Sequence, residues 1–142
     1  MIDSRNPDEL APAVRAMAEA FIAVCKAQGI DLVITSTYRD AEKQDALYAL
    51  GRTKPGKVVT NAKGGQSFHN WRVAFDAVPL RGGKPVWNTR GDDGKLWEKI
   101  GAIGEAVGLE WGGRWKKFPD YPHFQCTNGR SLADFQKGEA HE

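Results

Sequence analysis

The chain has 142 residues, of which 41% are hydrophobic and 27% are charged, and its formal net charge at pH 7 is +2. This length and composition are typical of one globular unit, so we expect residues 1–142 to form a single domain. They exclude a membrane-spanning protein, because no apolar run approaches the ~20 residues that a spanning helix needs. They also do not predict nucleic-acid binding, since the lysines and arginines form no single basic stripe.

The first residues and the cysteines bear on where the protein is made. The opening stretch MIDSRNPDEL has neither the basic nor the apolar segment of a secretory signal, so we expect synthesis in the cytoplasm. The two cysteines, Cys25 and Cys126, are too few for a disulfide framework. Folding is therefore not expected to depend on oxidation.

The first half of the chain predicts a helix, a strand and a second helix. Asn6 is the expected N-cap of the first helix, with Pro7 at its first position and Gly29 beyond its end. Its apolar residues recur at spacings of three and four, which indicates packing on a core. DLVITSTYR (31–39) is rich in β-branched residues and predicts a strand. Residues 40–51 predict a second helix, capped by Asp40 and ended by Gly51.

The second half of the chain predicts a hairpin between a long loop and a third helix. Residues 52–66 are rich in glycine and polar residues, and an unstructured loop of about 15 residues is often functional. VAFDAVPL (73–80) and KPVWN (84–88) flank RGG, which favours a β-hairpin. Residues 92–108 predict a helix, and 131–136 a short final one. The pattern is typical of an α+β fold with a small antiparallel sheet and flanking helices.

Two of the three histidines lie near carboxylates. His69 precedes a predicted strand and His123 lies in DYPHFQ, whereas His141 lies in a polar tail and is expected to be solvated. Asp76 lies among apolar strand residues, where an unpaired carboxylate would be costly, and Asp120 precedes His123 by three. For either histidine alone, a hydrogen-bonded core residue is the alternative interpretation.

This set of side chains suits a catalytic zinc ion, which takes three protein ligands and leaves one position for water. His69, Asp76 and His123 would be the three ligands. Asp120 would then act as the general base that takes a proton from the attacking water. Residues seven apart point to opposite faces of a regular strand, so we expect His69 before the strand proper or a bulge between the two.

Three segments resemble the M15 family of zinc peptidases, which contains D,D-carboxypeptidases, D-alanyl-D-alanine dipeptidases and phage L-alanyl-D-glutamate endolysins. SFHNWRVAFD (67–76) is similar to the S-x-H-x-x-x-x-A-x-D element of that family. WGGRWKKFPDYPHFQ (111–125) resembles its D-x-x-H element, and STYRD (36–40) resembles an upstream element that ends in arginine. The three occur in family order and span about residues 34–125.

The resemblance implies a Hedgehog/D,D-peptidase-like α+β fold that holds one Zn²⁺ ion. It implies zinc ligation by His69, Asp76 and His123, with Asp120 as general base. It also implies further roles: Arg39 would hold a substrate carbonyl or stabilise the oxyanion, and Ser67 would be a supporting hydrogen-bonding residue. At Arg72 the chain departs from the family, many of whose members carry glycine there, which bears on the local turn.

Several of these residues have a simpler interpretation. Without the family pattern, Arg39 could bond a nearby carboxylate at the end of a strand. Trp115 and the other aromatic residues of its segment could line a cleft for peptide or glycan, or could belong to the core or its rim. Cys126 has a spacing from His123 that is compatible with metal binding, but free cysteine more often serves as a small buried hydrophobe.

The sequence therefore predicts a monomeric, zinc-dependent peptidoglycan endopeptidase of the phage endolysin type, which cuts the L-alanyl-D-glutamate bond of the stem peptide. It would be made in the host cytoplasm without a signal peptide and would act on the cell wall, in the periplasm, after release. The first alternative is a D-alanyl-D-alanine carboxypeptidase or dipeptidase of the same family, although Asp120 in place of glutamate favours the endolysin subgroup. The second is a zinc-containing binding module without turnover.

Overall fold

The computed structural model describes the backbone of residues 1–140 and the side chains of residues 1–138. The helices and strands in this part of the chain are α1 (Pro12–Ala27), β1 (Asp31–Ser36), α2 (Ala41–Ala49), β2 (Ala74–Arg81), β3 (Lys84–Pro85), α3 (Gly91–Ala106), β4 (Glu110–Trp111), β5 (His123–Gln125) and α4 (Leu132–Ala140). Short 3-10 helices lie at Pro7–Glu9, Phe68–Trp71 and Gly112–Arg114. The predicted α+β class is confirmed, while the expectation for His141 falls outside the described residues.

The five strands form one antiparallel sheet in which β1, β2, β5 and β4 are neighbours in that order, and β3 pairs with the end of β2. Phe75 of β2 lies opposite Phe124 of β5, and Asp76 lies opposite His123. Successive residues of a strand point to opposite faces, so the two phenylalanines face one side of the sheet and the Asp–His pair faces the other.

The core lies on the phenylalanine side of the sheet, under α1. Phe21 of α1 is fully buried, and its ring centroid is 4.6 Å from that of Phe124 and 6.1 Å from that of Phe75. Helix α3 adds Trp97 and Ile100, both fully buried, to the same cluster. None of the helices in the described part of the chain has both the length and the apolar character needed to cross a bilayer.

The first helix begins later than predicted. Asn6 does cap a helix, but that helix is the 3-10 turn Pro7–Glu9, and α1 starts only at Pro12. Proline has no backbone N–H to continue an α-helix and disfavours the helical conformation at the residue before it. Ala11 accordingly has φ −55° and ψ 144°. The predicted continuous helix is therefore wrong between residues 6 and 11.

The other predicted elements are found close to their expected places. Asp40 caps α2 by accepting a hydrogen bond from the backbone N–H of Lys43. The predicted hairpin is present, and Gly82 (φ 58°) and Gly83 (φ 77°) have the left-handed conformation that a two-residue hairpin turn requires. The last helix is longer than the predicted 131–136, because it extends to Ala140.

Candidate active site

Three candidate metal-ligand atoms converge on the face of the sheet opposite the aromatic core. Asp76 and His123 are cross-strand neighbours, and His69 lies in the 3-10 helix Phe68–Trp71, before β2 begins. Oδ1 of Asp76 is 3.3 Å from Nε2 of His69 and 3.6 Å from Nδ1 of His123. One potential ligand atom from each of the three residues lies within 4.8 Å of the others.

Ser67 and Asn70 cap the short helix that carries His69. Ser67 Oγ accepts from the backbone N–H of His69 (3.3 Å), and Asn70 Oδ1 accepts from the backbone N–H groups of Ser67 (3.2 Å) and Gly65 (3.0 Å). The Asn70 amide also donates to the carbonyl of Arg39 (2.8 Å), whose own N–H donates to the carbonyl of His69 (3.1 Å). The segments that carry Arg39 and His69 are thereby joined through their backbones.

Hydrogen bonds outside the cluster determine which nitrogen of each imidazole faces it. His69 Nδ1 lies 2.9 Å from the carbonyl of Thr37, which can only accept, so in the neutral ring Nδ1 carries the proton and Nε2 has a free lone pair. His123 Nε2 lies 2.7 Å from Oε1 of Gln125. The amide of Gln125 must point its nitrogen toward Glu110, an acceptor at 3.1 Å, so its oxygen accepts from His123. Nδ1 of His123 therefore also has a free lone pair.

The carboxylate of Asp76 lacks the partner that its burial calls for. Its Oδ1 atom is buried and accepts no hydrogen bond within the described residues. Burial raises the pKa of Asp76, whereas hydrogen bonds and charge from His123 and His69 in their protonated forms outweigh burial and lower that pKa well below its usual range. An ionised carboxylate that faces two imidazole lone pairs is a suitable donor set for Zn²⁺, and such a cation would satisfy the orphaned oxygen. The residues present therefore fit the metal.

Asp120 lies beside this cluster without being part of it. Its Oδ2 is 4.0 Å from Nδ1 of His123, and its side chain is 49% exposed. Burial raises the pKa of Asp120 and outweighs the opposing charge of His123, and the charge of Asp76 adds to the increase. A carboxylate with a raised pKa is better matched to proton transfer near neutral pH.

Gly112 allows the segment that carries Asp120 to pack closely on the sheet. The backbone N–H of Asp120 donates to the carbonyl of Gly112 at 2.9 Å. A Cβ atom at Gly112 would lie 2.5 Å from the carbonyl oxygen of Asp120 and 3.1 Å from the Cβ of His123. The absence of a side chain at Gly112 therefore permits this close approach.

Arg39 lies at the edge of the same cluster; its two terminal nitrogens each donate a hydrogen bond, whereas Nε makes only an ion-pair contact and no hydrogen bond within the described residues. Nη1 donates to Gln44 Oε1 (3.0 Å) and Nη2 to Ser36 Oγ (3.2 Å), while Nε is 3.7 Å from Oδ2 of Asp3. A guanidinium has five N–H donors, so these contacts leave one N–H on each terminal nitrogen for another acceptor. Arg39 therefore does pair with a carboxylate, that of Asp3, as the simpler interpretation expected. This pairing still leaves donors for another partner.

A cleft of about 650 Å³ opens over these residues. Its lining includes Arg39, Asp120 and the three residues of the cluster, together with parts of the predicted long loop. Trp115 lines it as well, with its ring centroid 5.0 Å from that of His123 and 38% of its surface exposed. Cys126 is half-buried against the core and does not line the cleft.

Arg72 ends the helix of His69 in the left-handed conformation, with φ 64° and ψ 22°. Glycine adopts this conformation without strain, whereas Arg72 carries a side chain there. In this chain, Nη1 of Arg72 donates to the carbonyl (2.9 Å) and to Oε2 (2.7 Å) of Glu9, and its guanidinium lies 3.8 Å from the ring centroid of Tyr38. Arg72 does not line the cleft. The left-handed turn is present although the residue is not glycine, and the arginine side chain stabilises the 3-10 helix Pro7–Glu9.

Six residues that contact or orient the candidate site residues were not predicted from the sequence. These are Asp3, Thr37, Gln44, Asn70, Glu110 and Gln125. The sequence contained a usable signal for Gln125. It follows His123 by two residues in a strand, and residues with that spacing point to the same face of the sheet. The others are brought to the site by tertiary contacts.

Comparisons with known proteins place this geometry in a family. Residues 60–126 match the D-alanyl-D-alanine carboxypeptidase family of the M15 peptidases. The chain is 43% identical over 128 residues to the peptidoglycan L-alanyl-D-glutamate endopeptidase CwlK of Bacillus subtilis, which covers 87% of this chain and 77% of that protein. The chain belongs to the M15 peptidase family. A phage protein is a further M15 relative: the L-alanyl-D-glutamate peptidase of Listeria phage A118 is 31% identical over 135 residues, 94% of this chain but only 44% of that protein.

Solved structures agree with the M15 fold. The L-Ala D-Glu endopeptidase ChiX of Serratia marcescens superposes with a TM-score of 0.64 at 19% identity and covers 89% of both chains. The vancomycin resistance D,D-pentapeptidase VanY, in complex with Zn(II), gives a TM-score of 0.61 at 14% identity and covers 94% of this chain and 79% of its own. At these identities the superpositions establish the fold alone.

Proposed function

We propose that this M15 peptidase is a zinc-dependent peptidoglycan endopeptidase that hydrolyses the L-alanyl-D-glutamate bond of the stem peptide. The observation that carries the proposal is the convergence of two imidazole nitrogens and the orphaned oxygen of Asp76 at the base of a cleft. The bond is suggested by the two curated relatives, which are both named for activity on L-alanyl-D-glutamate.

In this proposal His69, Asp76 and His123 hold one zinc ion, as supported by their donor set and by the Zn(II) complex of the VanY neighbour. Bound zinc supplies a Lewis acid that polarises a carbonyl and promotes the ionisation of water near neutral pH. Asp120 takes the proton from the attacking water and passes it to the leaving amine. Its distance of 4.0 Å from His123 leaves it close to the cluster but outside the set of ligands.

Arg39, Ser67 and Trp115 have supporting roles in the proposal. The two uncommitted N–H groups of Arg39 bind the substrate carbonyl and the negative charge that develops on its oxygen. Ser67 acts through the helix that positions His69, since its hydroxyl is the N-cap acceptor. Trp115 provides an exposed aromatic surface beside His123 for the substrate chain.

We further propose that the enzyme is a monomer that acts on the cell wall after release from the cytoplasm of the producing cell. The phage relative supports this endolysin role. The D-alanyl-D-alanine carboxypeptidase activity is the second candidate, because the matching family carries that description. Membership of a peptidase family argues against a binding module without turnover.

Digestion of purified peptidoglycan separates the two activities. Mass spectrometry of the products should find peptides with a new D-glutamate amino terminus and L-alanine left on the muramic acid. Release of free D-alanine with the alanyl-glutamate bond intact would instead select the carboxypeptidase. Protein stripped of metal by a chelator and then reloaded with zinc is the control for metal dependence.

A further inference from the structure

Two segments that border the cleft are rich in cations and contain no carboxylate. Residues 52–66 and 114–119 hold seven of the 20 lysines and arginines of the protein and none of its aspartates or glutamates. Both line the cleft, the first through Val59, Thr60 and Ala62 and the second through Trp115. The fold thus brings two basic segments that are far apart in sequence to the same opening.

Most of these cations are not neutralised by the protein. The two arginines have partners: Arg114 pairs with Glu98 and Glu105, and Arg52 donates to backbone carbonyls of its own loop and of α2. The other five are exposed lysines that make no ion pair within the described residues. We call them the lysine rim: Lys54, Lys57, Lys63, Lys116 and Lys117.

The base of the cleft has the opposite charge. Asp3, Asp76 and Asp120 line it, and Arg39 is the one cation among the lining residues apart from the histidines. The charge of Arg39 is partly offset by Asp3, 3.7 Å from its Nε. The side chains at the base therefore offer little attraction for an anionic substrate, and the rim is where such attraction would arise.

We propose that the lysine rim binds the free carboxylates of the peptidoglycan stem peptide and so holds this anionic substrate across the cleft. The inference rests on the proposed function and adds to it the means of recognition. Glutamate has two carboxyl groups, and a chain that continues through one of them leaves the other free, so a D-glutamate next to the scissile bond carries a negative charge. In this proposal the lysine rim also binds other free carboxylates of the same peptidoglycan polymer.

Exposed lysines suit this role because their attraction extends beyond direct contact. Charges in water act over a Debye length of about 8 Å at physiological ionic strength. Rim charges of this kind raise the association rate and make binding dependent on salt, while they contribute little to the chemical step. The signature of the lysine rim is therefore a salt-dependent KM with an unchanged kcat.

The proposal is tested by replacing the rim lysines with uncharged glutamine, two at a time. The rim variants are Lys116→Gln with Lys117→Gln, and Lys54→Gln with Lys57→Gln. The matched control is Lys26→Gln with Lys99→Gln, which removes two exposed lysines that lack ion pairs in the described residues and lie on α1 and α3, two helices that contribute no residue to the cleft lining. The substrates are a soluble muropeptide with free carboxylates and the same muropeptide with its carboxylates amidated.

For the free-acid muropeptide, each rim pair should raise KM about two- to tenfold, leave kcat unchanged and flatten the dependence of kcat/KM on salt. The control pair should behave as wild type, and on the amidated muropeptide the rim variants and wild type should have the same KM. A rim variant with wild-type KM on the free acid, or an equal effect of the control pair, would overturn the proposal. So would an equal KM increase on the amidated substrate.

Measuring the binding of the variants to intact sacculi tests the lysine rim without depending on which bond the enzyme cuts. Co-sedimentation requires no turnover, so weaker binding by the rim variants supports the rim even if fragment analysis refutes the proposed bond. Wild-type binding by those variants refutes the rim even if the bond is correct. Equal loss of affinity for a single-stranded oligonucleotide would identify a general polyanion surface and overturn the assignment to the stem peptide.

Discussion

At the scale of single residues, the site depends on partners that fix the protonation of two imidazoles. The carbonyl of Thr37 can only accept, and Glu110 orients the amide of Gln125 so that its oxygen faces His123. In its neutral form, the form that binds a metal, each ring therefore turns a lone pair and not an N–H toward the cluster. This arrangement differs from that of a core histidine, whose two nitrogens would both be engaged in hydrogen bonds.

Removal of either imidazole is expected to remove the metal. Purified protein should contain one zinc ion, and His69→Ala or His123→Ala should lose it, because two remaining ligands are too few for a stable site. Metal analysis of the purified variants checks this. His141→Ala is the control, since the third histidine lies in the polar tail. Full zinc occupancy in either of the first two variants would contradict the ligand assignment.

The partner of His123 should matter for metal affinity without being a ligand. Gln125→Leu removes the acceptor for Nε2–H and frees the ring to rotate, so zinc affinity should fall by about 10- to 100-fold while the protein stays folded. Competition with a chromogenic chelator measures the affinity. Gln28→Leu, an exposed change at the end of α1, serves as the control. Unchanged affinity in Gln125→Leu would show that the hydrogen bond does not orient the ring.

Asp120 should be needed for turnover and not for the metal. Asp120→Asn keeps the size of the side chain but cannot accept a proton, so kcat should fall by about 10²–10⁴-fold with zinc retained. Metal analysis and peptidoglycan digestion on the same preparation test both parts. Loss of the metal would instead make Asp120 a ligand and Asp76 the structural carboxylate.

At the scale of elements, two short segments bring candidate catalytic side chains to a regular sheet. The 3-10 helix Phe68–Trp71 brings in His69, and the turn after β4 brings in Asp120. The indole N–H of Trp111 holds the end of that turn by donating to the carbonyl of Tyr121 at 2.7 Å. Because these two connections are not regular strands, they can direct His69 and Asp120 to the face of the sheet that holds the cleft.

Gly112→Ala tests the close packing of the second segment. The added methyl would lie 2.5 Å from the carbonyl oxygen of Asp120, so the backbone near this residue, the proposed general base, must move. We expect a lower kcat and a loss of about 1–3 kcal/mol in the free energy of unfolding. Gly138→Ala in α4, where a Cβ meets no atom within 4 Å, is the control. Wild-type kcat in Gly112→Ala would show that the position of Asp120 tolerates the shift.

At the scale of the whole molecule, the sheet separates a dry aromatic core from a charged cleft. Phe75 and Phe124 face α1, while Asp76 and His123, their immediate neighbours in the strands, face the cleft. The same two strands thus stabilise the fold on one side and position the candidate metal ligands on the other. A loss of core packing is expected to disturb the site as well as the stability.

Phe21→Ala should reveal this coupling. Phe21 is fully buried between the two strand phenylalanines, so the cavity that it leaves should lower the free energy of unfolding by about 3–5 kcal/mol. Chemical denaturation of the zinc-loaded protein measures the change. Val24→Ala on the same helix, where Val24 is 38% exposed, should cost much less. Similar losses in the two variants would contradict the central place of Phe21 in the core.

Most of the elements could be predicted because their signals are local. The capping of α2 by Asp40 and the two glycines of the hairpin turn act within a few residues of chain, and both are found as expected. The error at the start of α1 also has a local cause, since Pro12 interrupts the helix that Pro7 begins. The candidate ligands were chosen by residue type and by family resemblance, and their role as a zinc site stays a prediction.

The sequence by itself determined the elements, the α+β class and the candidate residues of the site, because caps, periodicity and motifs act over short stretches of chain. Only the tertiary structure decided that Asp76 stands opposite His123, that Gln125 holds His123 while Asp3 and Gln44 hold Arg39, and that two separate basic segments border one cleft. These contacts depend on strand pairing and on how loops pack over the sheet. Local propensity cannot specify them, since the free energy that fixes them comes from burial and hydrogen bonding between residues distant in sequence.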